Sequence, residues 1–304
     1  MPATNRTTIL RGPGTVKFGG ATVFDANGIT CEIESATQGL PSSISGEIGT
    51  IKTDQTGKIS FTPCGQISAA ILAALFPYAS AAIGSSACGA ADTPCVVHGM
   101  SGTRVTLVNC CVQKMPEIYL SPVKTAFGSV ELAAALGLAK GPTDDAALYT
   151  VEQAAYDAGA PDPTGITGVA YAGTFGALSI PDTADGWTIT PEVTLQPVST
   201  DTLGTIDWTV ASVGCTAKCT PLGLTEEQIL AALPATRARG SLIGGDDLVV
   251  TGAGGLKVTL HGASLVTGPL QWGNTQLRAG EIGFTAHRSF SGGVPGPVFE
   301  VELA

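Results

Sequence analysis

Few residues in this chain have types and spacings that could do chemistry. Three histidines, His98, His261 and His287, lie scattered without convergent partners and do not make a triad. Among eight cysteines, Cys110 and Cys111 are adjacent, and Cys215 and Cys219 are separated by three residues. Neither pair has a second pair of ligands at a spacing used by zinc. The thiols therefore read first as small buried hydrophobes, with a disulfide or a metal as the open alternative. Gly244-Gly245-Asp246-Asp247 offers two carboxylates but reads as a turn after a helix. Asp182-Thr183-Ala184-Asp185-Gly186 begins like a calcium loop, lacks the later ligands and reads as a turn before Trp187. No serine elbow, phosphate-binding loop, zinc-protease motif or dinucleotide fingerprint is present. The sequence thus assigns no catalytic, cofactor-binding or metal residue, and no enzyme activity and no cofactor are expected.

The bulk composition points to the elements instead. The chain has 304 residues, of which 44% are hydrophobic and 13% charged, with 40 glycines and 19 prolines. Globular domains usually carry about 25% charged residues, so either much of this surface is covered by copies of the chain or the chain is of the low-charge kind also found among secreted β-proteins. Short strands and turns are favoured over long helices. A net charge of −10 argues against wrapping nucleic acid, because that needs lysine and arginine to displace counterions. No apolar leader follows Met1, so export through a signal peptide is not expected. The apolar run from Ile67 to Ile83 contains Ser68, Pro77 and Ser80 and reads as a buried helix, with no membrane insertion.

The chain repeats itself. Thr62 to Leu75 aligns without gaps on Thr220 to Leu233, with eight of fourteen positions identical at an offset of 158. Cys95-Val96-Val97-His98-Gly99, then Gly102 and Val105-Thr106-Leu107, aligns on Leu248 to Gly252, then Gly255 and Val258-Thr259-Leu260, at an offset of 153. Phe127 to Leu132 aligns more weakly on Ala279 to Phe284 at an offset of 152. Three matches in the same order imply a duplication. The expected organisation is a first domain over 1–140, a linker over 141–165 and a second domain over 166–304. A short helix is expected within the linker, from Ala146 to Tyr156.

Each unit reads as strands, a long hairpin, a strand, one helix and more strands. Ile29, Cys31 and Ile33 alternate with Thr30, Glu32 and Glu34. Trp187, Ile189, Val193 and Leu195 alternate with Thr188, Thr190, Glu192 and Thr194. That period belongs to half-buried strands. Thr225-Glu226-Glu227-Gln228 reads as a capping box opening the second helix. In the first unit a long loop is expected from Gln38 to Thr56; in the second, the matching turn falls near Ser199 to Asp207. The fold class is α+β, mostly β: two tandem β-sandwich or barrel domains, each with one flanking helix.

Gly12-Pro13-Gly14-Thr15-Val16-Lys17-Phe18-Gly19-Gly20, the long polar loop and Phe61-Thr62-Pro63-Cys64-Gly65 together resemble the opening of the tail-tube (major tail) proteins of long-tailed bacteriophages. Leu75-Phe76-Pro77-Tyr78 resembles the end of that family's helix. Pro116 to Leu120 and Lys124 to Gly128 resemble its closing strands. The resemblance covers about residues 10–135 and reaches the second half through the repeat. It implies rings of six tube domains whose sheets join into an inner barrel, and rings that stack through the long loop. A chain with two tube domains would close as a trimer that mimics a hexamer.

The resemblance further implies that the partners are other copies of the chain, the tail terminator, and the tail-tip and tape-measure proteins. Double-stranded DNA would pass through without specific binding. The site would be the tail of a virion, after synthesis in the host cytoplasm. Glu32 and Glu34 are then placed on the lumen, where acids repel phosphate; an ordinary solvated sheet face is the alternative. Gln38, Leu40, Ser43, Ile44 and Glu47 would contact the next ring. Two other readings stay open: a tandem β-sandwich adhesin or carbohydrate-binding module, which needs exposed aromatic platforms, and a hydrolase with a site assembled from distant residues.

Overall fold

The structure is a computed structural model that describes residues 14–65, 67–88, 93–121, 126–135, 147–156, 171–200, 204–225, 227–228, 245–252, 254–267, 270–272, 277–288, 290–291 and 294–303. Strands dominate, with one helix among the described residues. The fold is α+β and mostly β, built from antiparallel sheets around a shared core.

The first half opens with a tight hairpin of β1 (Gly14–Phe18) and β2 (Ala21–Asp25). A long hairpin follows, β3 (Thr30–Ser42) and β4 (Gly46–Phe61), then β5 (Pro63–Cys64). Helix α1 (Ala69–Leu75) starts where the Ser68 hydroxyl accepts a hydrogen bond from the Ile71 N–H at 3.3 Å. It buries Ile71, Leu72, Ala74 and Leu75. The strands after it are β6 (Cys95–Gly99), β7 (Thr103–Leu107), β8 (Cys110–Lys114), β9 (Ile118–Leu120), β10 (Val130–Ala134) and β11 (Tyr149–Gln153). Two layers result, ordered β11-β7-β6-β1-β2-β5 and β3-β4-β10-β8.

The second half contains β12 (Tyr171–Phe175), β13 (Leu178–Ile180) and the long hairpin β14 (Asp182–Thr200) with β15 (Gly204–Leu222). It continues with β16 (Asp246–Gly252), β17 (Leu256–Thr267), β18 (Leu270–Trp272), β19 (Leu277–Ala279) and β20 (Ile282–Thr285). The short pair β21 (Phe290–Ser291) and β22 (Val294–Pro295) leads to β23 (Phe299–Leu303). One sheet runs β13-β12-β16-β17-β20-β15-β14-β9, with β23 on β17. Strand β17 pairs with β16 and β23 through its first part and with β20 through its last, and Gly262 between them takes a φ of +51°.

Strand pairing in the two halves follows one scheme, register by register. Gly14 faces Gly99, and Tyr171 faces Gly252. Cys95 faces Leu107, and Leu248 faces Leu260. Phe61 faces Val130, and Cys219 faces Ile282. Tyr149 faces Leu107, and Phe299 faces Leu260. Both long hairpins carry irregularities at matching places, after Ala36 and Leu40 in one and after Thr194 and Val198 in the other.

Several expectations are corrected. The stretch from Gln38 to Thr56 is not a loop: Gln38 and Leu40 lie on β3, Glu47 on β4, and only residues 43–45, including Ser43 and Ile44, form the turn. Continuous cross-strand pairing of a threonine- and isoleucine-rich segment outweighs its glycines. Residues 149–153 form β11 rather than a helix, because β7 offers them an edge. The Ile67–Ile83 run is helical only over Ala69–Leu75; Pro77 cannot continue the helix. Strand β9 does not close the first half but joins β14 of the second. Asp182 to Gly186 and the Asp246-Asp247 pair lie at the starts of strands β14 and β16, not in free turns. The second helix lies largely outside the described residues. Its capping box is formed: the Thr225 N–H donates to Gln228 Oε1 at 2.9 Å and the Gln228 N–H donates to Thr225 Oγ1 at 3.3 Å.

One hydrophobic cluster spans both halves, including Val16, Ile59, Leu75, Phe127, Trp187, Phe284 and Phe299. Phe76 at the end of α1 meets Phe127 at 6.0 Å and Phe299 at 6.2 Å between ring centres. His98, on β6, is buried; its Nε2 lies 3.2 Å from the Ala154 carbonyl oxygen and its ring 5.3 Å from Tyr156. Part of the expected linker is thereby fastened to the first sheet. Among the described residues no helix is long and apolar enough to cross a membrane.

Candidate functional site

The β3–β4 hairpin reaches beyond the core with both faces in solvent along most of its outer half. Its turn is built locally. The Ser42 hydroxyl accepts hydrogen bonds from the Ile44 and Ser45 N–H groups at 3.3 Å each, and Gly46 takes a φ of +75°. Ile44 is 94% exposed and Ile48 65%; Leu40 and Ile51 are exposed as well. The hairpin thus exposes four large aliphatic side chains.

The second hairpin differs in what covers it. Residues 84–87 lie along β15: the Gly84 N–H donates to the Val210 carbonyl at 2.8 Å, the Val210 N–H to Ser85 at 2.9 Å, and the Ala87 N–H to Trp208 at 2.7 Å. Asp207 is 1% exposed and accepts from the Cys88 N–H at 3.3 Å. Leu195 and Trp208 pack on a small apolar patch of Cys88, Cys111, Ala133 and Ala135 on the outer face of the first half's sheet. The first hairpin's Asp54 accepts a hydrogen bond from Thr205 Oγ1 at 3.5 Å. The first half thus supplies a cover for the second hairpin.

Glu32 and Glu34 lie exposed on β3, on one face of the sheet. Lys58 stands directly opposite Glu32, Lys114 opposite Glu131, and Thr30 opposite Ser60. A shallow groove of about 240 Å³ runs between Thr30, Glu32, Lys58, Ser60 and Glu131. The face is mixed in charge rather than uniformly acidic. Those lysines were beyond sequence reasoning, because opposition across strands depends on register.

The remaining chemistry is structural. All eight cysteines are free; six are buried, and Cys31 and Cys64 are half-buried. Burial pushes the Cys215 thiol far up, helped by Glu192, and does the same for Cys219 with Glu281. The Cys88 thiol is raised by its hydrogen bond to Cys111 and by burial. These thiols are poor nucleophiles. Tyr119 hydrogen-bonds Glu117, which pushes its hydroxyl up to about 12. His261 does find carboxylates that the sequence did not reveal: its Nδ1 lies 3.1 Å from Asp247 Oδ2 and its Nε2 3.6 Å from Glu300 Oε2. Asp247 also accepts from the Gly262 N–H at 2.9 Å, which ties β17 at Gly262 to β16. Among the described residues no cluster of three His, Cys, Asp or Glu side chains could hold a metal ion.

Compared with protein-family models and with characterised proteins, the sequence gives no match.

Proposed function

We propose that the chain is a tube-forming structural protein, the tail-tube subunit of a long-tailed phage, built by tandem duplication of one domain. The observation that carries this reading is the pairing scheme. Two halves with the same strand register lie side by side, and a first-half strand extends the second half's sheet. A contact made once between equivalent units is a contact that further units can repeat, and repeated head-to-tail contacts close into rings when the rotation allows. The exposed hairpin with Leu40, Ile44, Ile48 and Ile51 supports stacking of one ring on the next. Gln38, Ser43 and Glu47 belong to that contact. Glu32 and Glu34 then face a lumen through which DNA passes, and a net charge of −10 favours passage over binding. Terminator, tail-tip and tape-measure proteins would meet the tube's ends, and the protein would reside in the virion. The adhesin reading has no specific support, because the large exposed hydrophobics among the described residues are aliphatic or methionine, not aromatic.

Negative-stain microscopy of the purified full chain tests the proposal. Rings or tubes with a central channel are expected; a monodisperse monomer at high concentration would remove it.

A further inference from the structure

The junction between the halves has a counterpart that is empty within one chain. Strand β9 pairs with the start of β14, Leu120 opposite Trp187, Tyr119 opposite Thr188 and Ile118 opposite Ile189. On the donor side, β9 belongs to a small hairpin. Ile118 bridges Phe127, the Tyr119 N–H donates to Ala126 at 2.8 Å and the Gly128 N–H donates to Glu117 at 2.8 Å. The second half holds the same small hairpin, β18 on β19 with Leu270 opposite Ala279. Leu270 and Ala279 each lie 152 residues after Ile118 and Phe127.

On the acceptor side, Cys31 faces Ile59 as Ile189 faces Ala217, so Ile29, Thr30 and Cys31 stand where Trp187, Thr188 and Ile189 stand in the second half. Strand β3 ends its sheet, and among the described residues nothing pairs with its outer edge. Strand β18 likewise pairs with β19 alone among the described residues. An unpaired edge is a template for another strand.

One further observation agrees. A Cβ on Gly186 would fall 2.2 Å from the Leu120 carbonyl oxygen, so β9 needs glycine there; the equivalent Gly28 has open space around it.

We infer that β18 of one copy pairs with the β3 edge of a second copy, antiparallel, with Leu270 opposite Cys31, Gln271 opposite Thr30 and Trp272 opposite Ile29. The contact joins two different surfaces, so copies add head to tail. It names the partner within the proposed ring and rests on that reading for its closure.

Native Cys31 permits a direct test. Full-length Leu270→Cys protein under mild oxidation should give a ladder of covalent oligomers. The disulfide should join Cys31 of one copy to the thiol introduced at position 270 of the next, as identified by peptide mass mapping, and should be lost when Cys31→Ser is added. The pair Thr30→Cys with Gln271→Cys in a Cys31→Ser background gives the same ladder and serves if Leu270→Cys misfolds. Rings or tubes by microscopy with neither cross-link overturn this junction and leave the tube reading standing. Cross-linked open chains without rings support the junction and remove the tube. Monomers with no cross-link overturn both.

Discussion

At the scale of single residues, the two halves solve one packing problem with different side chains. Gly173 has no side chain because Trp187 fills its space: a Cβ there would lie 2.3 Å from Trp187 Cζ2. The equivalent positions in the first half are Val16, fully buried, and Ile29, which lies over Gly14. Adding a methyl group to Gly173 must push the buried indole, and overpacking of this kind costs about 1–3 kcal/mol. Gly173→Ala should therefore lower the urea midpoint with an unchanged denaturant slope, and shift the tryptophan emission of the folded protein. An unaltered midpoint would mean that Trp187 does not sit where the structure places it.

At the scale of elements, the strands were legible where alternation was strict. Ile29 to Glu34 and Trp187 to Leu195 read correctly because one face of each is more covered than the other, half-buried in the first and buried at Trp187 and Ile189 in the second. The capping box at Thr225 was legible because its chemistry is local. The outer part of the β3–β4 hairpin was not, since both its faces are exposed and no alternation marks it. Strand β11 was missed for a related reason: Val151 is exposed, and the edge of β7 that orders it lies far back in the sequence. The candidate hairpin was thus found, but its outer part was read as a loop instead of paired strands. Its exposed isoleucines yield a prediction that separates folding from assembly. Side chains as exposed as Ile44 and Ile48 contribute little to the fold, and surface changes usually stay within about 0.5 kcal/mol. The double variant Ile44→Ser with Ile48→Ser should melt with the parent by calorimetry. Under the microscope it should give single rings in place of stacked tubes. Full-length tubes from this variant would show that the hairpin tip takes no part in stacking.

At the scale of the whole molecule, the repeat suggests two independent domains, whereas the packing argues for coupled ones. Strand β9 leaves the first half to pair with β14, and residues 84–87 lie on β15. The Val298 N–H donates to the Ala79 carbonyl at 2.9 Å, and Phe299 packs edge-on against Phe76. One apolar cluster runs through all of these contacts. Unfolding one half would expose part of that cluster and strip a strand from the other half's sheet. The two halves should therefore lose structure together, although chains of this length often unfold in stages. The sequence provides separate reporters. Trp187, Trp208 and Trp272 all belong to the second half, while Cys88, Cys95, Cys110 and Cys111 are buried in the first. In a urea titration, tryptophan emission and the reactivity of those four thiols should change with one midpoint. If the thiols open at a lower urea concentration than the tryptophans, the halves are separable units and the shared core is too weak to couple them.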